Sequence, residues 1–432
     1  MSRTRWISAL SMAFLALMPV RWSPFSWNLQ WCDLAALLLL VLVVTGKRPA
    51  WRWHLLDAAV IMYLVGSIPA LTQSGSPLSG AVEYAKQLYV AALYAAYALL
   101  ARTASARRTV LVSISVTAAG VAGLGLAAMI AYYGWGWAWL PIGSPTPIPG
   151  LGSVFRIRGT MISWSFFASF LAVALPMALA LYATAGSPKA RRNWGALCLL
   201  LLAAGLCTVS HSIVGMLVAG LYAAWEALST GRRRFVRGAL AAACLSAFVG
   251  VNAMSIASIR EVHAATDSDP TAAPADYVYA IRDPSQGAQR LTLSVSYDPM
   301  NYFILKRIAW EAFLRRPLTG IGLDRFHEET ERAYQQGRLN RQSRRLDPHS
   351  TFFGRLAETG LLGAVTLAFF WVVILQTGLK LQADLGPSQE RWVVRAVMAG
   401  MIGLLVNGLN VDIMNFRFLW VGLGLLRGQL RA

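Results

Sequence analysis

"GLLGAVTLAFFWVVILQTGL", residues 360–379, runs for twenty residues without a charged side chain. At about 1.5 Å of rise per residue, a helix of that length covers the ~30 Å hydrocarbon core of a bilayer. The run has no barrel-like alternation, and in lipid a helix satisfies its own backbone hydrogen bonds. It is read as a membrane-spanning helix.

Working outward, similar runs lie near residues 7–20, 32–46, 55–71, 83–101, 110–132, 161–185, 193–208, 210–228, 238–258, 393–409 and 413–429, about twelve spans in all. The composition agrees, because 56% of 432 residues are hydrophobic and only 14% are charged. The fold expected is an all-α polytopic membrane protein. The first run lacks a small-residue cleavage site and is followed by "RWSPFSW" and a second span, so it reads as the first transmembrane helix and not as a signal peptide.

Lysine and arginine gather in alternate connections: Lys47, Arg48 and Arg52; Arg102, Arg107 and Arg108; Lys189, Arg191 and Arg192; Arg232, Arg233, Arg234 and Arg237; Lys380, Arg391 and Arg395. The positive-inside rule then places both termini in the cytoplasm. Much of the net charge of +19 follows from topology and anionic lipid, and it is no argument for nucleic acid. Cys32, Cys198, Cys207 and Cys244 lie within apolar runs, so neither disulfides nor zinc are expected.

Three parts follow: spans one to nine over residues 1–258, a polar outer segment over 259–359, and spans ten to twelve over 360–432. The outer segment begins with "REVHAATDSDPTAAPAD", which reads as extended. "NYFILKRIAWEAFLRRP" then carries Phe303, Ile304, Ile308, Trp310, Phe313 and Leu314 at helical spacing and stops at Pro317. This predicts an amphipathic helix on the bundle. "LTGIGLDRF" is a glycine-bearing turn without the third glycine of a nucleotide fingerprint, and "DRFHEETERAYQQGRL" predicts a polar helix supported by Glu328 and Arg332. "GWGWAWLPIGSPTPIPGLG", residues 134–152, reads as an interfacial loop.

Nine residues separate the quoted run from "DPHS", residues 347–350, on its N-terminal side. Asp347 can cap a helix whose first residue is Pro348, which leaves His349 in the first turn at the outer membrane edge.

His349-Ser350, nine intervening residues, then Gly360-Leu-Leu-Gly363 fits the H-[NSQ]-x9-G-x-x-G pattern, and the chain resembles the O-antigen ligases. "RIRGT" at 156–160, "KRIAWEAFLRRPLTGIGLDRF" and the long outer segment strengthen the resemblance. The family's Ser-Arg pair after the seventh span is here Ser210-His211, so that arginine's role is not carried over, and His211 reads as a packed or capping residue.

The resemblance implies a GT-C-like glycosyltransferase of the bacterial inner membrane, with a periplasmic loop bearing amphipathic helices. It would move glycan from undecaprenyl pyrophosphate to lipid A–core at the periplasmic face. His349 is then the candidate general base, with Ser350 supporting it. Arg156, Arg158 and Arg307 are the candidate cations for the pyrophosphate, with Lys86 a further one; headgroup contact or snorkelling is the alternative for each. Asp412 would orient His349 or pair with Arg417.

Divalent metal is not expected, since the only Asp-x-Asp, Asp267-Ser268-Asp269, sits in the Ala/Pro-rich stretch. No cofactor is implied, and one base without a carboxylate nucleophile points to inversion. An O-antigen polymerase and a protein O-oligosaccharyltransferase are the enzymatic alternatives. A transporter of lipid-linked glycan would need charges buried within the spans.

Overall fold

The computed structural model describes residues 3–20, 30–46, 51–75, 77–138, 141–148, 152–225, 260–261, 293–294, 301–339, 344 and 346–430. The span expected at 238–258, the arginines at 232–237 and the Asp-x-Asp lie outside the described residues.

The helices are α1 (Arg3–Leu17), α2 (Trp31–Val44), α3 (Leu55–Val65), α4 (Ile68–Leu71), α5 (Pro77–Leu100), α6 (Ala104–Trp135), α7 (Trp164–Ala183), α8 (Pro188–Leu206), α9 (Ile213–Ala224), α10 (Asn301–Arg315), α11 (Phe326–Gln335), α12 (Thr351–Asp384), α13 (Gln389–Asn407) and α14 (Arg417–Gln429). α6, α7 and α12 are long and apolar enough to cross a membrane. Each other expected run within the described residues carries a helix, and the 55–71 run is divided between α3 and α4.

Local chemistry sets many of the helix starts. Thr103, Ser163, Ser187 and Ser388 each accept from the backbone N–H three residues on, at 3.2 Å. Between helices, small residues let backbones approach closely. A Cβ on Gly215 of α9 would fall 2.4 Å from the Gly403 carbonyl of α13. Beside it Asn407 donates to Ser169 of α7 at 3.0 Å, so α7, α9 and α13 form the tight centre.

Two buried ion pairs join the early helices to the last. Arg417 reaches both oxygens of Asp33 in α2 at 2.7 Å, and Arg427 reaches both of Asp57 in α3 at 3.0 Å. The anticipated Asp412–Arg417 pairing is therefore replaced, because Asp33 offers Arg417 a shielded bidentate partner across the bundle.

Three further expectations are corrected. The 134–152 loop contains part of an antiparallel hairpin, β1 (Gly143–Ile148) with β2 (Gly152–Ile157), in which Ser144 faces Arg156. Alternation of Phe155 and Ile157, both buried, with Arg156 supplies the strand pattern. A two-residue pair, Arg260–Glu261 with Leu293–Ser294, completes the described strands as β3 and β4. Second, Glu328 pairs with Arg325 while Arg332 pairs with Glu329, each at three residues' separation.

Third, α10 buries Leu305, Lys306, Ile308, Ala309 and Ala312. Phe303, Trp310 and Leu314 stay about half exposed, because the alanines allow the closer approach to the bundle and leave the bulky residues facing outward.

A seam fixes α10 to α12. α12 breaks at Gly360, whose φ of 63° and ψ of −159° suit glycine alone. The break frees the N–H groups of Leu361 and Leu362 for the Pro317 and Leu318 carbonyls, at 2.7 and 3.3 Å. Ile321 and Gly322 donate in return to Ala357 and Glu358, both at 3.0 Å.

Candidate active site

Residues from five separate segments meet at the end of the bundle where α12 begins. The anchor is Thr351: its N–H donates to the Gly408 carbonyl at 2.9 Å, and its hydroxyl donates to the Val411 carbonyl at 3.0 Å. Ser350 is the N-cap, accepting from Phe353 at 3.4 Å and donating to Gly408 at 3.3 Å. These bonds pin the helix start to the turn between α13 and α14.

His349 therefore lies before the helix, with a φ of 48°, and not in its first turn as Asp347 capping required. Ser350 wins the cap because its extended backbone and hydroxyl meet the N3 amide directly. The left-handed turn at His349 costs local energy and aims the imidazole toward α10.

There it meets Tyr302, edge to face at 4.9 Å between centroids. On the other side Tyr302 meets His211, also edge to face, at 6.0 Å. One helical turn after Tyr302, Lys306 is buried and its Nζ donates to the side-chain amide oxygen Oδ1 of Asn410 at 2.6 Å. Arg156 completes the group from β2. Its guanidinium stacks on Trp164 at 3.9 Å while Nε donates to the Thr208 carbonyl at 3.1 Å.

The surroundings favour the neutral form of the His349 imidazole. Burial, then the Lys306 charge, hold His349 below its ordinary value. Burial brings Lys306 down to about 8, so it remains largely cationic near neutrality. His211 Nε2 is shielded from solvent and has no hydrogen-bond partner among the described residues.

A second, acidic group adjoins this one. Asp347, beside Asp412, Glu83 and Asp324, rises to about 6 through desolvation and those like charges. Lys86 sits among them, paired with Glu83 at 2.8 Å. Asp412 accepts from Thr351 at 3.3 Å and from Asn415 at 3.0 Å, so it bears on His349 through the helix start and not by direct contact.

Of the residues expected from sequence, His349, Ser350 and Arg156 are brought together. Arg158 stands two residues along the chain with its guanidinium on the Ile162 carbonyl at 3.3 Å. Arg307 is on the exposed side of α10, paired with Glu311 at 3.1 Å. Lys306, Tyr302, Asn410 and His211 are the additions. The available signal was Tyr302 and Lys306 four apart on one face with Ala309, polar groups in line with the small residues.

Such an arrangement offers a neutral base beside a buried ammonium and a stacked guanidinium, a combination suited to taking a proton while anionic charge develops nearby. Residues 196–368 match the family model described as O-antigen ligase. The matched stretch holds His211, Tyr302, Lys306 and His349, whereas Arg156 and Asn410 lie outside it. No curated protein matches the chain.

Proposed function

From a chain whose residues 196–368 match the family model described as O-antigen ligase, we propose an O-antigen ligase: an inverting, metal-independent glycosyltransferase working at the periplasmic face of the bacterial inner membrane. Its donor is a glycan on undecaprenyl pyrophosphate and its acceptor a sugar hydroxyl of lipid A–core. The observation that carries this reading is the cluster of His349, Tyr302, Lys306 and Arg156 at one end of the bundle.

In the proposed step His349 takes the proton of the acceptor hydroxyl as its oxygen attacks C1 of the donor sugar. The C1–O bond to the pyrophosphate breaks, and its electron pair leaves with the lipid diphosphate. Negative charge on that leaving group grows through the step, so Arg156 and Lys306 stabilise the transition state more than the ground state. A neutral imidazole in this role is worth ~10²–10⁴-fold.

Arg158, Arg307 and Lys86 form a second rank. Each already has a carbonyl or carboxylate partner and would meet the pyrophosphate by exchanging it. The exposed apolar side of α10 would face lipid, which suits two lipid-anchored substrates arriving sideways.

The test offers purified protein a lipid-linked glycan together with one of three acceptors: lipid A–core, a second lipid-linked glycan, or a serine-bearing peptide. Glycan on lipid A–core is expected. Lengthened lipid-linked glycan or modified peptide in its place would reassign the chain to polymerase or protein-glycosylating activity.

A further inference from the structure

At the opposite end of the bundle four arginines from separate segments face one cavity of about 350 Å³. That is room for ~10 water-sized volumes. Arg52 comes from the segment before α3, Arg102 from the α5–α6 turn, Arg107 from α6 and Arg427 from α14, while Glu390 is the only carboxylate in the lining. α13 joins the two ends, and its 19 residues span ~28 Å, about the thickness of a bilayer core.

Two of the guanidinium groups are held in place. Arg427 is fixed by Asp57 and lies over the Trp51 ring at 5.0 Å. Arg107 is fixed by Glu390 at 2.8 Å and by the Ala101 carbonyl at 2.7 Å. Arg52 and Arg102 bring the lining to four arginines beside one carboxylate. Gln429 also lines the cavity, and both its amide atoms are shielded from solvent without a hydrogen-bond partner among the described residues. Such a group asks for a ligand with both an acceptor and a donor.

We propose that this cavity binds an anionic phosphodiester or phosphomonoester that carries a hydroxyl, such as a glycerophosphate headgroup. Phosphate oxygens accept from the arginines and from Gln429 Nε2, and the hydroxyl donates to Gln429 Oε1. Arginine's planar fork matches phosphate geometry, and the surplus charge selects against zwitterionic headgroups. The basic loops place this end at the cytoplasmic leaflet, where anionic lipid is at hand. The site is independent of the chemistry at His349.

Full-length protein in phosphatidylcholine nanodiscs is titrated with phosphatidylglycerol, and separately with soluble glycerol 3-phosphate, while thermal unfolding is followed. Stabilisation by phosphatidylglycerol alone identifies a lipid site, and stabilisation by glycerol 3-phosphate as well identifies a phosphate site open to solutes. In Arg52→Gln/Arg102→Gln the apparent affinity falls at least ~10-fold. Lys189→Gln/Arg192→Gln, basic residues at the start of α8, leaves it unchanged. An equal response in both double variants, or none in wild type, overturns the proposal. Should the arginine variant fail to fold, native mass spectrometry of wild type decides: selective retention of phosphatidylglycerol over phosphatidylcholine supports the site, and equal retention overturns it.

Discussion

Replacing Gly360 by alanine tests the seam that holds α10 against His349. A Cβ there would lie 2.5 Å from the carbonyl of Leu318 and 2.6 Å from the Gly320 amide, both backbone atoms that cannot rotate away. The backbone at φ 63°, ψ −159° costs a residue with a Cβ ~1–3 kcal/mol. Opening the contact also gives up the bonds from Leu361 and Leu362, at ~0.5–1.5 kcal/mol each. The sum is roughly 2–6 kcal/mol, or about 30-fold to 10⁴-fold in the local opening equilibrium. Hydrogen exchange read by mass spectrometry on peptides covering 317–322 and 357–362 should accelerate by at least ~30-fold. Gly123→Ala is the control, since a Cβ there meets nothing within 4 Å, and its exchange at these peptides should match wild type. If Gly360→Ala also exchanges like wild type, the seam is not closed by this geometry.

Further expectations concern charge and position. In Lys306→Met the ammonium that helps depress His349 is gone, so the imidazole's pKa rises. Since the base works only when neutral, the acid limb of the pH–rate profile should move to higher pH; an unmoved limb would separate Lys306 from His349. Arg156→Lys keeps the charge but loses the plane stacked on Trp164 and the Nε bond to Thr208, and should slow turnover by about 10²-fold, read from kcat. Activity within a factor of two of wild type would remove Arg156 from the reaction. Asp33→Asn leaves Arg417 buried beside a neutral amide and should lower stability by ~3–5 kcal/mol, seen in thermal unfolding. Asp33→Asn/Arg417→Met should lose less than the two single changes summed, and strict additivity would deny the coupling.

The helical architecture was legible because each apolar run is a local pattern that announces itself without help from the rest of the chain. His349 was legible for a similar reason, through its fixed spacing to Gly360 and Gly363. The structure gives Gly360 of that spacing a physical cause, the break that lets α12 receive the turn after α10. Long-range partners were not legible. Nothing near Arg417 in the sequence points to Asp33, and nothing near Lys306 points to Asn410, since those pairings exist only once α14 and the turn before it are in place. On α10 the bulky apolar residues suggested the wrong buried face. Phe303 and Trp310 stay about half exposed while the face of Leu305, Ile308, Ala309 and Ala312 packs inward. That rotation is what replaces Arg307 with Lys306 next to the imidazole.

The central claim, that His349 acts as a base in ligation without metal, is tested most directly by glycan transfer to lipid A–core in EDTA, comparing wild type with His349→Ala. The account predicts that wild type ligates in chelator and that the variant, folded by its thermal unfolding profile, loses at least ~10²-fold in rate. Wild type stopped by EDTA and restored by a divalent ion, or a variant as fast as wild type, would contradict it.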